Sequence, residues 1–283
     1  MKILVTGANG FIGGRLSCRL MVAGHQVFGL SQQKPGDITG FKDFYCLDIS
    51  KSFSLPHPFD LVIHLAAYNI TNIGTKDQDI YTAVNVEGAK NLLKAVSTTR
   101  VIYLSTAKIY KNQGLPLTEE SPLMPQGAYE QSKLKAEAVC QMLLPKEELI
   151  ILRSANVIGP GQAMKAVVPV FFQKARANQA LDITNAAQMM QFVYVEDLID
   201  AIEAVMAQEE IYGIFNIAYN EPVNVEQLAR QIIALTHSTS TLNMPKSTPD
   251  NLFSPLVCDK SYQEFGWRAK TDLQTILKLY EKS

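Results

Sequence analysis

Short apolar runs alternate with longer stretches of mixed polarity through the first half of the chain. Ile3-Leu4-Val5 is an apolar run of strand length, and Phe11 to Val22 follows with apolar residues spaced as on one face of a helix. The alternation continues, with strands over Gln26 to Leu30, Asp43 to Leu47, Asp60 to Leu65, Val101 to Leu104 and Leu149 to Leu152. Helical spacing covers about Asp77 to Ser97 and Tyr129 to Leu143. DLVIHL at 60–65 is almost continuously apolar, as a strand covered on both faces requires. Strand and helix in turn predict an α/β fold with a doubly wound parallel sheet. After Asn156 the rhythm breaks at Gly159-Pro160-Gly161, and shorter, more varied segments follow. The pattern places a large domain over 1–158 and a smaller C-terminal α/β part over 159–283, with a segment near 190–218 packing back onto the first.

Thr6-Gly7-Ala8-Asn9-Gly10-Phe11-Ile12-Gly13 lies between the first strand and the first helix. Glycines there let the backbone turn sharply and approach a pyrophosphate, and the helix N-terminus offers its unpaired N–H groups to that anion. Strand, glycines and helix in this order point to a Rossmann-type dinucleotide site contributed by Gly7, Asn9, Gly10, Phe11, Ile12 and Gly13. At the end of the second strand, where NAD sites usually carry Asp or Glu, the chain has Ser31, then Gln32, Gln33 and Lys34. Ser31 and Lys34 suit a 2′-phosphate. The cofactor is therefore read as NAD or NADP, with a tilt to NADP. Asp48, after the third strand, suits the adenine amino group or a helix N-cap.

Tyr129 and Lys133 are spaced i, i+4 and share one face of their helix. An ammonium beside a phenol favours phenolate, so the pattern predicts a tyrosine pKa below its usual value near ~10. Such a phenol serves as acid or base. Thr106 ends a strand some twenty residues upstream, where strand ends face the cofactor, and its hydroxyl suits the reacting oxygen.

Composition narrows the partners. Lys+Arg total 26 against 27 Asp+Glu in 283 residues, with no basic stripe, which argues against a nucleic-acid partner. No apolar run is long enough to span a membrane. Cys18, Cys46, Cys140 and Cys258 are scattered and read as reduced thiols of a cytoplasmic protein. His25, His57, His64 and His237 lack metal-ligand spacing, so no metal is expected, and His64 reads as structural. Glu119-Glu120 reads as a solvated loop and Trp267 as a packing residue.

These motifs together resemble the extended short-chain dehydrogenase/reductases, in the NAD-dependent epimerase/dehydratase (nucleotide-sugar epimerase-like) branch. The resemblance covers nearly the whole chain. TGANGFIG resembles the family's cofactor loop, Asp48-Ile49 its adenine contact, His64-Leu65-Ala66-Ala67 the strand end beneath the cofactor, and Asn85-Val86-Glu87-Gly88 its NVxG segment. Thr106 falls on the catalytic Ser/Thr and Tyr129/Lys133 on YxxxK. Arg153 to Gly161 resembles RxxNVYGPG, with Asn156 toward the substrate, and Phe192 to Asp197 resembles FVYVDD. The resemblance implies that Ile49, Leu65, Ala66, Ala67 and Asn85 help hold the cofactor and that Lys133 also holds the nicotinamide ribose. It further implies hydride exchange with a nucleotide sugar, and a homodimer formed through the helices near 77–97 and 129–143.

The departures are specific. Sugar 4,6-dehydratases of the family carry Asp-Glu directly after the catalytic Thr, whereas this chain has Ala107 and Lys108. Met190 stands where many members place a phosphate-clamping Arg, and Ser247, near Pro249-Asp250, stands at a second such place. Lys165 is a point charge that could compensate. The expected reaction is nucleotide-sugar epimerisation. The alternatives are NADPH-dependent reduction of a 4-keto-sugar or another small ketone, and a non-catalytic dinucleotide sensor.

Overall fold

The apolar runs become the strands of one large sheet. In a computed structural model, which describes residues 1–56, 58–70, 78–98, 100–244 and 252–283, these are β1 (Lys2–Thr6), β2 (Gln26–Ser31), β3 (Asp43–Cys46), β5 (Leu61–His64), β7 (Val101–Thr106), β8 (Leu149–Ser154) and β13 (Gly213–Ile217). They form a seven-stranded parallel sheet in the order β13-β8-β7-β5-β1-β2-β3. Ile3 aligns with Val27 on one side and Leu61 on the other, and Val62 aligns with Val101. The order reverses at β1, so the chain ends of β1 and β5 open side by side. In open α/β sheets that reversal is where ligands bind.

Burial explains the run of Val, Ile and Leu. Ile3, Leu4 and Val5 are fully buried, as are Leu61, Val62 and Ile63. One core packs Leu4, Phe28, Val62, Tyr103 and Ile151 against helix residues Leu92, Ala136 and Cys140. Those helix residues lie on α3 (Gly88–Ala95) and α4 (Ala128–Leu143). The stretch expected as one helix over 77–97 is not uniform. Its first residue, Asp77, lies outside the described residues. It runs as α2 (Gln78–Tyr81), a π-helical turn Thr82–Glu87, and α3. The chain then leaves the helix at Val96 into β6 (Ser97–Thr98), which pairs with β4 (Pro58–Phe59). A π turn inserts a residue into the helical ladder and re-aims the side chains within it, here Asn85.

The chain divides into two compact units. The first comprises Met1–Lys111, Pro122–Arg153 and Val205–Phe215; the second comprises Asn112–Ser121, Ser154–Ala204 and Asn216–Ser283. The division falls at Arg153/Ser154 rather than at 158, and of 190–218 only Val205–Phe215 joins the first unit. The physical reason is strand pairing: β9 (Asn156–Ile158) leaves the large sheet and aligns with β12 (Phe192–Tyr194), Asn156 beside Phe192. The second unit has its own core, with Phe171, Phe172, Leu228, Ile232, Ile276 and Tyr280. Two of its helices are capped by side chains. Asn224 and Gln227 form a capping box on α7 (Val225–Leu235), and Asp272 accepts from Thr275 N at 2.7 Å to start α9 (Leu273–Glu281). Trp267 is buried, as expected, and its indole N–H donates to Asp197 O at 2.9 Å. Glu119 departs from the expected solvated loop: its carboxylate accepts from Asn216 N at 2.7 Å.

Among the described residues, no helix is long and apolar enough to cross a membrane, and no group of side chains is placed to hold a metal. His57 lies outside the described residues.

Arg100 closes the first unit. Its Nη2 donates to the carbonyls of Val205, Gln208 and Ile211 at 3.0, 2.5 and 3.2 Å. Arg100→Met removes these three side-chain donations, although Val205 O still accepts from Gln208 N at 3.2 Å. It should destabilise the protein by roughly 1–3 kcal/mol, read as a lower thermal midpoint.

Candidate active site

The glycine turn is shaped by close backbone approach. Gly7 is left-handed, with φ +67°, and a Cβ there would lie 3.1 Å from the backbone of Ala66. A Cβ on Gly13 would lie 2.1 Å from Gly7 O, so only glycine lets the helix start beneath the turn. Gly10 N donates to Gly7 O at 2.9 Å and Gly14 N to Gly10 O at 2.8 Å. Helix α1 (Phe11–Val22) begins at Gly10 with no side-chain cap and no acidic residue in its first turn. Its N-terminal N–H groups and dipole therefore remain available to an anion. This cradle fits the pyrophosphate of a dinucleotide.

Asn9 ties the turn to the end of β2. It accepts the Ser31 hydroxyl, and its amide donates to Gln33 O and Lys34 O at 3.3 and 3.0 Å. The Ser31 hydroxyl hydrogen is thus already committed, and Lys34 is exposed. Asp48 does not cap a helix. Its Oδ1 accepts from the backbone N–H and hydroxyl of Ser50 at 3.0 and 2.7 Å, closing a local turn, and these bonds hold its carboxyl below the usual range. Ile49 beside it is buried against Gly88 and its carbonyl accepts from Asn91.

The end of β5 is held by a threonine. Thr6 Oγ1 accepts from Leu65 N at 3.2 Å and Ala66 N at 3.1 Å, and lies 2.7 Å from His64 Nδ1. Having accepted two N–H groups, the hydroxyl gives its own hydrogen to the imidazole. His64 is therefore neutral with its proton on Nε2. Burial pushes its pKa down to about 3, and the Lys133 charge adds to the effect. His64 thus has a positioning role: it fixes Thr6, which fixes Leu65 and Ala66, while Ala67 follows half-buried.

Asn85 completes this floor. Its Oδ1 accepts from Tyr68 N at 2.8 Å, and its Nδ2 donates to Tyr68 O at 3.0 Å and Ser132 Oγ at 2.8 Å. Ser132 in turn donates to Tyr129 O at 2.7 Å. The amide expected at the cofactor instead joins the loop after β5 to the first turn of α4.

Thr106 and Tyr129 come together. The buried Thr106 hydroxyl approaches the phenol closely enough to lower its pKa, while accepting from Lys108 N at 3.3 Å as cap of the short turn Ala107–Ile109. Lys133, only 2% exposed, turns the other way. Its ammonium donates to Leu104 O at 2.6 Å and lies 4.1 Å from the centre of the Tyr103 ring. The expected lowering of the phenol pKa is therefore reversed here. Burial, reinforced by Glu130, pushes Tyr129 up to about 12, with the Thr106 bond pulling the other way. Burial also lowers Lys133 to about 8, opposed by Glu137. The phenol is poised as a proton donor, and added positive charge beside it would be needed to make it a base.

The residues expected at the substrate lie in the second unit. Asn156 Nδ2 donates to Gln191 O at 3.2 Å, Lys165 is exposed, and Met190 sits in β11 (Met189–Met190), half-buried against the second core. Ser247 and Pro249-Asp250 lie outside the described residues. No motif singles out Glu137, which is buried and receives Arg153 Nε at 3.1 Å and Nη2 at 2.7 Å. Its i, i+4 spacing from Lys133 was the available signal.

A glycine cradle at the sheet's reversal point, with a Thr/Tyr/Lys set at the neighbouring strand end, defines a dinucleotide-dependent oxidoreductase-type site. The chain belongs to the NAD dependent epimerase/dehydratase family, whose description it matches over residues 3–218. It is 26% identical to the human dTDP-D-glucose 4,6-dehydratase over 95% of this chain and 85% of that protein. Its fold is similar to MoeE5 in complex with UDP-glucose and NAD, with a TM-score of 0.88 and 22% identity, covering 100% of this chain and 98% of that one. It is also similar to the UDP-glucose 4-epimerase of Thermotoga maritima with UDP-glucose, at TM-score 0.85 and 26% identity over 100% and 99% of the two chains.

The buried imidazole makes a checkable case. At pH 5, where a free histidine is mostly charged, nitrogen NMR should show His64 neutral with the proton on Nε2. Because the unfolded chain takes up this proton first, the stability held by neutral His64 is complete above about pH 6.5 and is lost as pH falls toward 3. A charged imidazole at pH 5 would contradict the Thr6 arrangement.

Proposed function

We propose that this chain is an NAD-dependent nucleotide-sugar epimerase that removes a hydride from a sugar carbinol and returns it to the other face. The observation that carries this reading is the approach of Thr106 to Tyr129, with Lys133 buried one helical turn along α4 and no carboxylate at 107 or 108. When bound, the nicotinamide supplies the hydride acceptor and a positive charge. Tyr129 takes the carbinol proton and gives it back. Thr106 hydrogen-bonds the same oxygen and holds the phenol. Lys133 contributes fixed positive charge and a hydrogen-bond donor for the nicotinamide ribose. Asn156, Lys165 and Met190 are proposed to face the nucleotide sugar. This substrate class is supported by the UDP-glucose named with the two similar structures.

Ala107 and Lys108 argue against sugar dehydration. Elimination across the sugar needs one group to remove a carbon-bound proton and another to protonate the departing hydroxyl. The human relative is a 4,6-dehydratase, so these two positions are where the proposal parts from that relative's activity. The tilt to NADP gains no support. Ser31 is engaged by Asn9, and NAD is the cofactor named with MoeE5. One feature still favours the reductase alternative: no carboxylate stands at Ser31 to disfavour NADPH. A non-catalytic sensor would have no use for Thr106, Tyr129 and Lys133 as a set. A homodimer through α3 and α4 remains part of the proposal, supported by exposed Met142 and Leu143 at the end of α4. A cytoplasmic setting is proposed on the four free cysteines.

The deciding assay incubates the protein and NAD with UDP-, dTDP-, GDP- and CDP-sugars and reads products by NMR. Inversion at one sugar carbon without accumulation of NADH supports the proposal. Stoichiometric consumption of NADPH, or a 4-keto-6-deoxy product, overturns it. NAD should also protect the protein thermally better than NADP.

Tyr129→Phe should lower turnover by about 10²–10⁴ while leaving NAD binding nearly intact. Unchanged turnover would remove the phenol from the reaction.

A further inference from the structure

We propose that Asn9 determines cofactor specificity: by taking the Ser31 hydroxyl hydrogen it turns Ser31 into an acceptor for a ribose 2′-hydroxyl, and so sets a preference for NAD over NADP. The inference deepens the proposed function and rests on its reading of the glycine turn as a dinucleotide site. Two backbone bonds lay that turn along the end of β2: Gly7 N and Ala8 N both donate to Leu30 O, at 2.7 and 3.3 Å. The next residues along the two segments are Asn9 and Ser31, both half-buried. Ser31 is pinned through its own backbone, whose carbonyl accepts from Leu47 N at 3.0 Å. The orientation of the Asn9 amide follows from its neighbours. Gln33 O and Lys34 O can only accept, so Nδ2 faces them and donates at 3.3 and 3.0 Å. Oδ1 therefore faces Ser31. An amide oxygen can only accept, so the hydrogen in that bond is the one on the Ser31 hydroxyl.

Both amide hydrogens and the hydroxyl hydrogen are thus committed, and what Ser31 Oγ still offers a ligand is its lone pairs. In Rossmann sites the residue ending the second strand faces the adenosine ribose, where an Asp or Glu selects NAD by accepting from the 2′-hydroxyl. This chain has no carboxylate there. A hydroxyl held as acceptor performs the same selection without a charge. The 2′-hydroxyl of NAD has a hydrogen to give it. The 2′-phosphate dianion of NADP brings only acceptors and meets lone pairs in place of the serine hydrogen. The Gln33 and Lys34 carbonyls, held by the same amide, add partial negative charge to this cluster. Against them stands the exposed Lys34 ammonium, a hydrated point charge on a flexible stem rather than a fixed donor.

The test is calorimetric titration of the full chain with NAD and with NADP at about pH 8, where a phosphate monoester is a dianion. The wild type should bind NAD more tightly. Asn9→Ala frees the Ser31 hydrogen for a phosphate and should lower the NAD-over-NADP affinity ratio about tenfold or more. Ser31→Ala removes the acceptor and should lower the ratio about threefold or more, through weaker NAD binding. Because Asn9 acts through that hydroxyl, Asn9→Ala/Ser31→Ala should show the ratio of Ser31→Ala; a ratio that multiplies the two single effects overturns the proposal. An Asn9 that only shaped the loop would weaken both cofactors together, and an unchanged ratio in Asn9→Ala likewise overturns it. If Asn9→Ala does not fold, the sign in Ser31→Ala decides. A serine that donates to a phosphate would be missed by NADP, so a rising or unchanged ratio contradicts the proposal. These outcomes in a wild type that prefers NAD sink this inference alone. A wild type that prefers NADP, or binds neither cofactor, overturns it together with the NAD reading. The readout uses no sugar, so a protein with the expected ratios that turned over no nucleotide sugar would keep this inference and lose only the epimerase reading.

Discussion

Burying the ammonium of Lys133 is the constraint around which the first unit's chemistry is arranged. A charge taken out of water is costly unless its protons find acceptors and its field finds a counter-charge. Here the acceptor is Leu104 O at 2.6 Å, the carbonyl two residues before Thr106. That bond makes the relative placement of β7 and α4 part of the site. The Tyr103 ring adds its electron-rich face. The same burial suppresses charge on the groups around it: His64, Tyr103 and Cys140 all shift toward their neutral forms. A neutral His64 can then accept from Thr6, and Thr6 can hold the backbone of Leu65 and Ala66. Burial thus sets the neutral state of residues on β5, β7 and α4, and the ammonium reinforces it at His64.

The glycine turn meets this network at a defined place. Gly7 packs against the backbone of Ala66, the residue whose N–H is held by Thr6. The anion cradle and the strand end beneath the redox site therefore share a contact with no side chain between them. Asn85 extends the link. By bonding Tyr68 on one side and Ser132 on the other, it couples the loop after β5 to the first turn of α4, where Tyr129 sits. The π-helical turn that carries Asn85 is the local cost of aiming its amide at both.

What was legible in the sequence was what depends on periodicity and on residue types with few roles. Six of the seven strands follow from apolar runs and the flanking helices from 3.6-residue spacing, while β13 was not singled out, and the cofactor turn follows from glycines whose missing Cβ has a steric reason. Thr106 and Tyr129 were found from their places at a strand end and a helix start. The rest depends on three-dimensional company. Helical spacing cannot reveal that Thr82–Glu87 is π-wound, because the apolar positions shift by a single residue. Spacing placed Lys133 beside Tyr129 but could not say where the ammonium points. Burial of Tyr129, reinforced by Glu130, instead raises the phenol's pKa, while the ammonium bonds Leu104 O. Residue types at 31 and 34 could not show that Asn9 accepts the Ser31 hydroxyl and donates to the Lys34 backbone carbonyl. Glu119 and Glu137 carry the same side chain and similar local polarity, yet one binds a loop N–H and the other a buried guanidinium.

The protonation pattern bears on which reaction the site can drive. With Tyr129 raised to about 12 and no carboxylate at 107 or 108, the described catalytic set has a single proton-transferring group at the reacting oxygen. Thr106 cannot substitute as a base, since a neutral hydroxyl is a weak base and its oxygen already accepts from Lys108 N. A phenol this basic gives up its proton only when positive charge arrives beside it, and it regains the proton when that charge is discharged by hydride transfer. In the proposed epimerisation, proton and hydride would be coupled at one carbinol, out and back, with no residue of the proposed set left to expel a second oxygen. The proposed epimerisation asks for that coupling and nothing more.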